Sequence, residues 1–468
     1  MVLRPLLEAR RVRRSLFSST ARGRSLTVLD PALVARAKPP TLRVAHFCDT
    51  YLPRRDGIVT SLQTLTAAMN EIGHESLIVV PRHPDQPDDE GLLRLPSVPC
   101  GVAQFRLAAW PRNKHVERIA HWLPHVIHVH TPGPVGLLGI LAARRLGLPL
   151  VQTYHTDLHG YARAYRLPAR ALEGLIRCYA MRLSSPKPQV PRDVPRAERR
   201  DKVIDVGTDL LYGEADAVLV PTPAVLTRCK LPVEDERIYL APSGVSLPKV
   251  SASARVAFRA RHGIGADEPA VLFVGRVNHE KGIPLLTEAF GAVRKAVPSA
   301  RLVLVGAVYE QRWARGLVEQ AGIADRTVFV GQVPPEQVAE AYAACDVFAF
   351  PSLTDTQGLV VQEAALAGLP AVLADPALHA SGPLAGAGVL GGATAEGFAA
   401  AITELLTSPE RRVELGRAAQ AMAEQNTPET FARRMEQVYA QAVRRGASAV
   451  RLSRQRRRIP FRPQRAIA

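Results

Sequence analysis

Short apolar runs without polar alternation recur along the chain, separated by segments of helical periodicity. Arg43-Val44-Ala45-His46-Phe47-Cys48, Ser76 to Val80, Val126 to His130, Pro149 to Tyr154, Ala217 to Val220 and Arg237 to Leu240 read as strands. Runs of this kind suit strands covered on both faces. The spacing predicts helices from Gly57 to about Ile72 and from Pro134 to Gly147. A second series follows, with strands at Ala270–Gly275, Leu302–Gly306, Thr327–Gly331, Asp346–Phe350 and Pro370–Ala374. A repeated βα rhythm predicts an α/β protein built as two Rossmann-like domains, each around a parallel sheet. The chain crosses between them from Pro242-Ser243-Gly244-Val245 to about Asp267, and a last helix spans about Glu429 to Val443. The expected divisions are an arm at 1–40, a first domain at 41–246, a second at 247–443 and a tail at 444–468.

Polar interruptions refine this frame. Residues 184–203 are rich in Pro, Lys and Arg without apolar periodicity and read as a flexible surface insertion. Residues 168–183 read as a basic amphipathic helix carrying Arg170, Arg177 and Arg182. In residues 101–122, Phe105, Leu107, Trp110 and Trp122 interleave with Arg106, Arg112, Lys114 and Arg118. That mixture suits a membrane interface and a solvated surface helix equally.

Charge adds a second layer. The net charge is +17, but residues 1–40 hold nine Lys/Arg against Glu8 and Asp30, and residues 444–468 hold nine Arg and no acid. The chain between the two is close to neutral. Such termini are expected to be disordered and to attract anionic surfaces without selectivity. The N-terminal arm has no apolar segment of a secretory signal; its composition fits a transit peptide or a start codon placed too early. No run of about 18 apolar residues predicts a membrane span. The five cysteines are scattered and form no C-x-x-C. A reducing, cytoplasmic setting is therefore expected, without a zinc or disulfide framework.

Candidate chemistry concentrates in residues 351–370, PSLTDTQGLVVQEAALAGLP. A polar turn leads into a helix stopped by Gly368 and Pro370. Thr354 and Gln357 fit a capping box, and a helix start of this kind can hold an anion. Asp355 and Glu363 would lie roughly 12 Å apart on a continuous helix. That is too far to act on one atom and suits two ends of one long, hydroxylated, phosphorylated ligand. Alone, the stretch also fits an ordinary strand–loop–helix. Arg276 and Lys281 lie in Gly275-Arg276-Val277-Asn278-His279-Glu280-Lys281-Gly282, a loop entering a helix. Cations there suit a diphosphate, because helix starts otherwise favour acids. Gly57, at a strand-to-helix loop, lets backbone approach a phosphate. His128, His130, His155 and His159 lack carboxylate or thiolate partners at ligand spacing, so no metal site is expected. A histidine at the carboxyl end of a parallel strand has a better use at a ligand edge. Gly386 to Gly391 matches G-x-G-x-x-G, but neither a buried strand nor a helix frames it, so it is not read as a dinucleotide site.

Two βα domains with these features resemble the GT-B glycosyltransferases, and more narrowly the retaining family 4 enzymes, over roughly residues 41–443. Asp355 and Glu363 occupy the ends of that family's E-x7-E motif. Thr354-Asp355-Thr356-Gln357-Gly358-Leu359 is similar to the T-E-T-Q-G-L run of diacylglycerol glucosyltransferases. Gly275-Arg276 and Glu280-Lys281-Gly282 match the family's G-R and E-K-G. Pro242-Ser243-Gly244-Val245 resembles its P-N-G-V turn, Asp56-Gly57-Ile58 its glycine loop and Tyr154-His155-Thr156 its Y-H-T strand end. The sequence departs from the pattern at Asp355, one methylene short of Glu, and at Ser243, where Asn is usual.

The resemblance implies that the first domain takes the acceptor and the second the nucleotide-sugar donor. It implies that Glu363 binds the ribose, that Arg276 and Lys281 clamp the diphosphate, and that Asp355 and His155 position the sugar. Gly57, Gly358 and Leu359 would give amides to phosphate, and Thr356, Gln357, Ser243 and Gly244 would complete the substrate site. The implied reaction is hexose transfer with retention, without metal or cofactor. A lipid or small molecule would be the acceptor, with an anionic membrane as a peripheral partner and no specific nucleic acid. A nucleotide-sugar 2-epimerase and a non-catalytic anion binder are the alternatives.

Overall fold

The computed structural model describes residues 41–457 apart from 90, 101–104, 165–166 and 192–193, together with the short paired strands Thr20–Ala21 and Arg24–Ser25. The rest of the expected disordered arm and the end of the tail lie outside the described residues.

Seven strands build the first sheet: β1 (Arg43–Phe47), β2 (Glu75–Pro81), β3 (Leu92–Leu95), β4 (Val126–Val129), β5 (Leu150–Thr153), β6 (Ala217–Val220) and β7 (Ile238–Leu240). They run parallel in the order β7-β6-β5-β4-β1-β2-β3. Six strands build the second: β8 (Ala270–Val274), β9 (Arg301–Val305), β10 (Thr327–Gly331), β11 (Val347–Phe350), β12 (Ala371–Leu373) and β13 (Val389–Leu390). These too are parallel, in the order β10-β9-β8-β11-β12-β13. Both orders are doubly wound, with a switch between β1 and β4 in one sheet and between β8 and β11 in the other. Ligands of such sheets bind beyond the carboxyl ends of the strands at that switch. Every residue of β4, β6, β8 and β11 is buried, which explains their unbroken apolar character. β3 and β13 were not expected from the sequence. β13 lies inside the Gly386–Gly391 stretch as an edge strand on β12.

The helices that matter for the site are α1 (Gly57–Glu71), α2 (Pro134–Leu146), α3 (Ile283–Ala296), α4 (Leu359–Leu366) and α5 (Pro428–Arg457). The basic segment forms a helix over Ala169–Arg182, and a further helix, Arg199–Tyr212, takes up the end of the expected insertion.

α5 corrects the expected organisation. It runs through Arg457, well into the stretch assigned to the tail. It also packs on the first sheet and not the second. Phe431, Met435, Val438, Tyr439 and Ala442 form one cluster with Val44, Val126, Val151, Leu219 and Tyr239 of that sheet and with Leu65 and Met69 of α1. Burial of each large apolar side chain there stabilises by about 1.5–3 kcal/mol. Two polar contacts fix the register. His74 Nε2 lies 2.9 Å from Glu436 Oε1, both buried, and Tyr239 Oη donates to Gln441 Oε1 at 2.7 Å. The apolar stripe of α5 was readable as helical, but a stripe does not say which sheet it covers. The two crossings between domains touch: Val245 N donates to Asn426 O at 3.1 Å, and a Cβ on Gly244 would lie 2.4 Å from Thr427 O.

Candidate active site

The switch of the second sheet brings the loops after β8 and β11 together. Gly282 ends the first loop in a left-handed conformation (φ 75°), and a Cβ there would lie 2.3 Å from Pro351 O in the second. Only glycine allows that approach. It sets Lys281 beside Asp355, whose two oxygens accept from Lys281 Nζ at 2.8 and 2.9 Å. Arg276 Nη2 donates to both oxygens of Glu280 at 3.1 and 2.9 Å. Lys281 Nζ also lies 3.7 Å from Glu280 Oε1, so the four charges form one alternating chain. Burial pushes the Asp355 carboxyl up, but Lys281, with Arg276 beyond it, holds it below its ordinary range.

Gly358 is the second glycine whose conformation matters. It caps α4 in the left-handed region (φ 71°) with no side-chain cap bond. The Thr354–Gln357 capping box is therefore not formed, because the left-handed turn starts the helix at Leu359 and Gln357 is engaged elsewhere. The first amides of α4 are left without intrahelical acceptors. Across the cleft stands the start of α1: a Cβ on Gly57 would lie 3.8 Å from Leu359 Cδ1. That end is already capped. Asp56 Oδ1 accepts from the Ile58 and Val59 amides at 3.1 Å, and Oδ2 from Thr50 Oγ1 and Arg54 Nε at 3.1 Å. Glu363, one turn further along α4, accepts from Tyr342 Oη at 2.8 Å. Burial raises its carboxyl, with Tyr342 opposing.

The turn between Asp355 and Gly358 is held by the first domain. Thr356 Oγ1 donates to His155 O at 2.9 Å, and Thr222 Oγ1 donates to Thr356 O at 2.6 Å. Arg228 Nη1 donates to Asp355 O at 2.8 Å, and its guanidinium pairs with Asp375. Gln357 forms a two-point contact with the Ser243 backbone, accepting from its N and donating to its O at 2.9 Å each. Asn426 Nδ2 donates to the same carbonyl at 2.8 Å, and Ser61 Oγ lies 2.6 Å from Ser243 Oγ. Ser243 and Gln357 are buried. The structure thus places Arg276, Lys281, Asp355 and the start of α4 along one cleft wall, with His155 and Gly57 on the other. Thr356, Gln357, Ser243 and Gly244 join the two domains behind it.

Glu280, Arg228 and Asp375 carry this geometry without having been assigned a role in the sequence. Glu280 stood inside the recognised loop, where an acid between two cations was a readable signal. Arg228 and Asp375 gave none, since each meets its partner only through the fold.

His155 Nε2 lies 3.2 Å from His130 Nδ1, and His130 Nε2 lies 3.1 Å from His46 Nδ1. Burial lowers His155 to about 4, with Asp56 opposing. One ring nitrogen from each of His46, His128 and His130 falls within 4.8 Å of the other two, a grouping the sequence spacing did not suggest. On the first domain's side, about 250 Å³ of open space borders Thr50, Arg54, His83, Gln86, Phe105 and Arg106. Among the described residues no helix is long and apolar enough to cross a membrane.

Comparison with known proteins agrees with this fold. The model of "Glycosyltransferase Family 4" matches residues 55–248, and that of "Glycosyl transferases group 1" matches residues 255–422. The chain is 28% identical over 345 residues to the alpha-monoglucosyldiacylglycerol synthase of Streptococcus pneumoniae, covering 71% of this chain and 70% of that one. It is 30% identical over 360 residues to the D-inositol 3-phosphate glycosyltransferase of Segniliparus rotundus, covering 74% and 72%. Among solved structures, sucrose-phosphate synthase from Thermosynechococcus elongatus superposes with a TM-score of 0.63 at 23% identity, covering 86% of this chain and 98% of that one. The Anabaena protein HepE in complex with UDP-glucose gives 0.63 at 17%, covering 85% and 99%. With two doubly wound domains closing on a charged cleft, the chain is a GT-B glycosyltransferase and belongs to the group 1 and family 4 glycosyltransferases.

Proposed function

We propose that the protein transfers a hexose from a nucleotide-sugar donor to a lipid or polyol acceptor, with retention of configuration and without a metal. The observation that carries this reading is the Lys281–Asp355 pair beside the first amides of α4. Arg276 and Lys281 would take the donor diphosphate and stabilise the leaving phosphate as charge develops. Gly358 and Leu359 would add amides, in keeping with a positive helix end. Glu363 would hold the ribose. Asp355, released in part from Lys281, and His155 would orient the sugar. In same-face transfer the bond from the anomeric carbon to phosphate oxygen breaks as the acceptor oxygen bonds to that carbon. The acceptor proton passes to the leaving phosphate, so no protein carboxylate need act as base.

The relatives named for diacylglycerol and inositol acceptors support a glycolipid or polyol acceptor. Peripheral attachment to the cytoplasmic face of a membrane fits one surface of the first domain. Leu107, Trp110, Leu175 and Met181 are exposed there. The Trp110 and Tyr179 rings sit 5.8 Å apart, and Arg182 donates to Pro111 O at 2.8 Å, which joins the two segments. Arg112, Lys114 and Arg118 flank them, a composition suited to anionic lipid.

The test is donor turnover across UDP- and GDP-sugars with a membrane lipid extract as acceptor, followed by NMR of the product's anomeric proton. Transfer should occur with one donor class, give the donor's own configuration, and be abolished by Lys281→Ala and by Glu363→Ala. Full activity in both variants, or an inverted product, would sink the assignment.

A further inference from the structure

Three imidazoles form a line from the interior of the first domain to the cleft. His46 Nδ1 is 3.1 Å from His130 Nε2, and His130 Nδ1 is 3.2 Å from His155 Nε2. His46 and His130 are buried and His155 is partly exposed. Burial lowers His46 to about 3 and keeps His130 well below its ordinary value. All three rings are therefore neutral near pH 7, each with one N–H and one lone pair.

A neutral imidazole that donates on one side must accept on the other, so the choice made at one ring propagates along the line. Two settings satisfy both contacts. With every ring protonated at Nδ1, His46 donates to His130, His130 donates to His155, and the last N–H, on His155 Nδ1, is left for the cleft. With every ring protonated at Nε2 the direction reverses, and the last N–H is that of His46 Nε2. That atom is buried and has no hydrogen-bond partner among the described residues. A stranded buried donor costs about 1–3 kcal/mol, and orphaned N–H groups are rarer than orphaned acceptors.

We infer that His46 and His130 are positioning residues that fix His155 with its proton on Nδ1, so that His155 meets the substrate as a hydrogen-bond donor and not as a base. The inference rests on the glycosyl-transfer reading only for what His155 faces. His128 stands apart from the line. Its ring lies 4.0 Å from that of His130, but its nitrogens are taken by Tyr439 Oη and Thr153 Oγ1, each at 2.8 Å. A divalent cation would compete for the lone pairs that join His46 to His130.

The test is a long-range ¹H–¹⁵N correlation on the full chain labelled at histidine, with zinc ions as the competing probe. Nδ1–H signals are expected for His46, His130 and His155. In His130→Phe, which leaves His155 Nε2 without its donor, the Nε2–H form of His155 should grow and kcat should fall by about 10- to 100-fold with little change in donor KM. His130→Gln, whose amide can donate to His155 Nε2, should restore much of both. An Nε2–H His155 in the native protein, stoichiometric zinc shifting the His46 and His130 signals, or a folded His130→Phe protein with unchanged His155 would each overturn the inference. If His130→Phe does not fold, the native tautomers and His130→Gln decide. The tautomer pattern needs no substrate. Its presence in a protein inactive toward every donor would sink the proposed function and leave this inference standing.

Discussion

Lys281 favours the charged form of Asp355, and that has a consequence in acid. Asp355 is depressed below its ordinary value of 3.8 despite the opposing effect of burial. A carboxyl depressed on folding adds stability that is present above the unfolded value and is lost as pH falls through the folded one. Asp355→Asn should therefore lower stability by about 1 kcal/mol at pH 7, the size of a partly screened pair. The gap in Tm between the variant and the native protein should close as pH is taken down through the carboxylate range. A gap that stayed constant across that titration would mean the ion pair contributes nothing to the fold. The charged residues at this scale were legible in the sequence because each interrupts an apolar or glycine-rich context: Arg276 and Lys281 after β8, and Asp355 and Glu363 after β11. Their mutual pairing was not. Lys281 and Asp355 stand 74 residues apart in sequence, and only the parallel adjacency of β8 and β11 brings the loops after them side by side.

Elements are positioned by a few backbone approaches that sequence pattern predicts unevenly. The α4 start illustrates this. The Thr-x-x-Gln spacing satisfied the local rule for a capping box, but Gln357 gains two bonds to the Ser243 backbone by crossing to the other domain. A tertiary contact thus displaced a local one. Gly282 shows the reverse, since a glycine before a helix was readable and the need for it is steric. Gly282→Ala combines a left-handed φ with a Cβ 2.3 Å from backbone oxygen, so destabilisation beyond about 1 kcal/mol is expected. The helix start that carries Lys281 should shift with it. A lowered urea midpoint together with a raised donor KM would be the result; an unchanged midpoint would show that the Pro351 loop yields at no cost. The parallel strands were legible because burial on both faces writes them as apolar runs. β3 and β13 escaped because short edge strands are only partly buried and carry no such run.

At the scale of the molecule, the fate of α5 decides which residues belong to which body. Its apolar stripe, from Phe431 to Ala442, covers the first sheet. Met435 is fully buried there, and Met435→Ala should cost about 2–5 kcal/mol. Hydrogen exchange should then accelerate in β4, β5 and β6 ahead of β8 and β11. Faster exchange confined to the second sheet would contradict the packing. Sequence order alone hides this arrangement, because pattern reading assigns a terminal helix to whatever precedes it. The return of α5 and the touching crossings at Val245 and Asn426 also bear on how the protein can be rebuilt. The second domain begins and ends at adjacent points, so it is a cassette set into the first, not a partner fused to its end. Grafting a relative's segment between those two points would exchange one half while leaving the other with its own closing helix. A cut after either crossing alone would strip the first domain of the helix that covers its sheet.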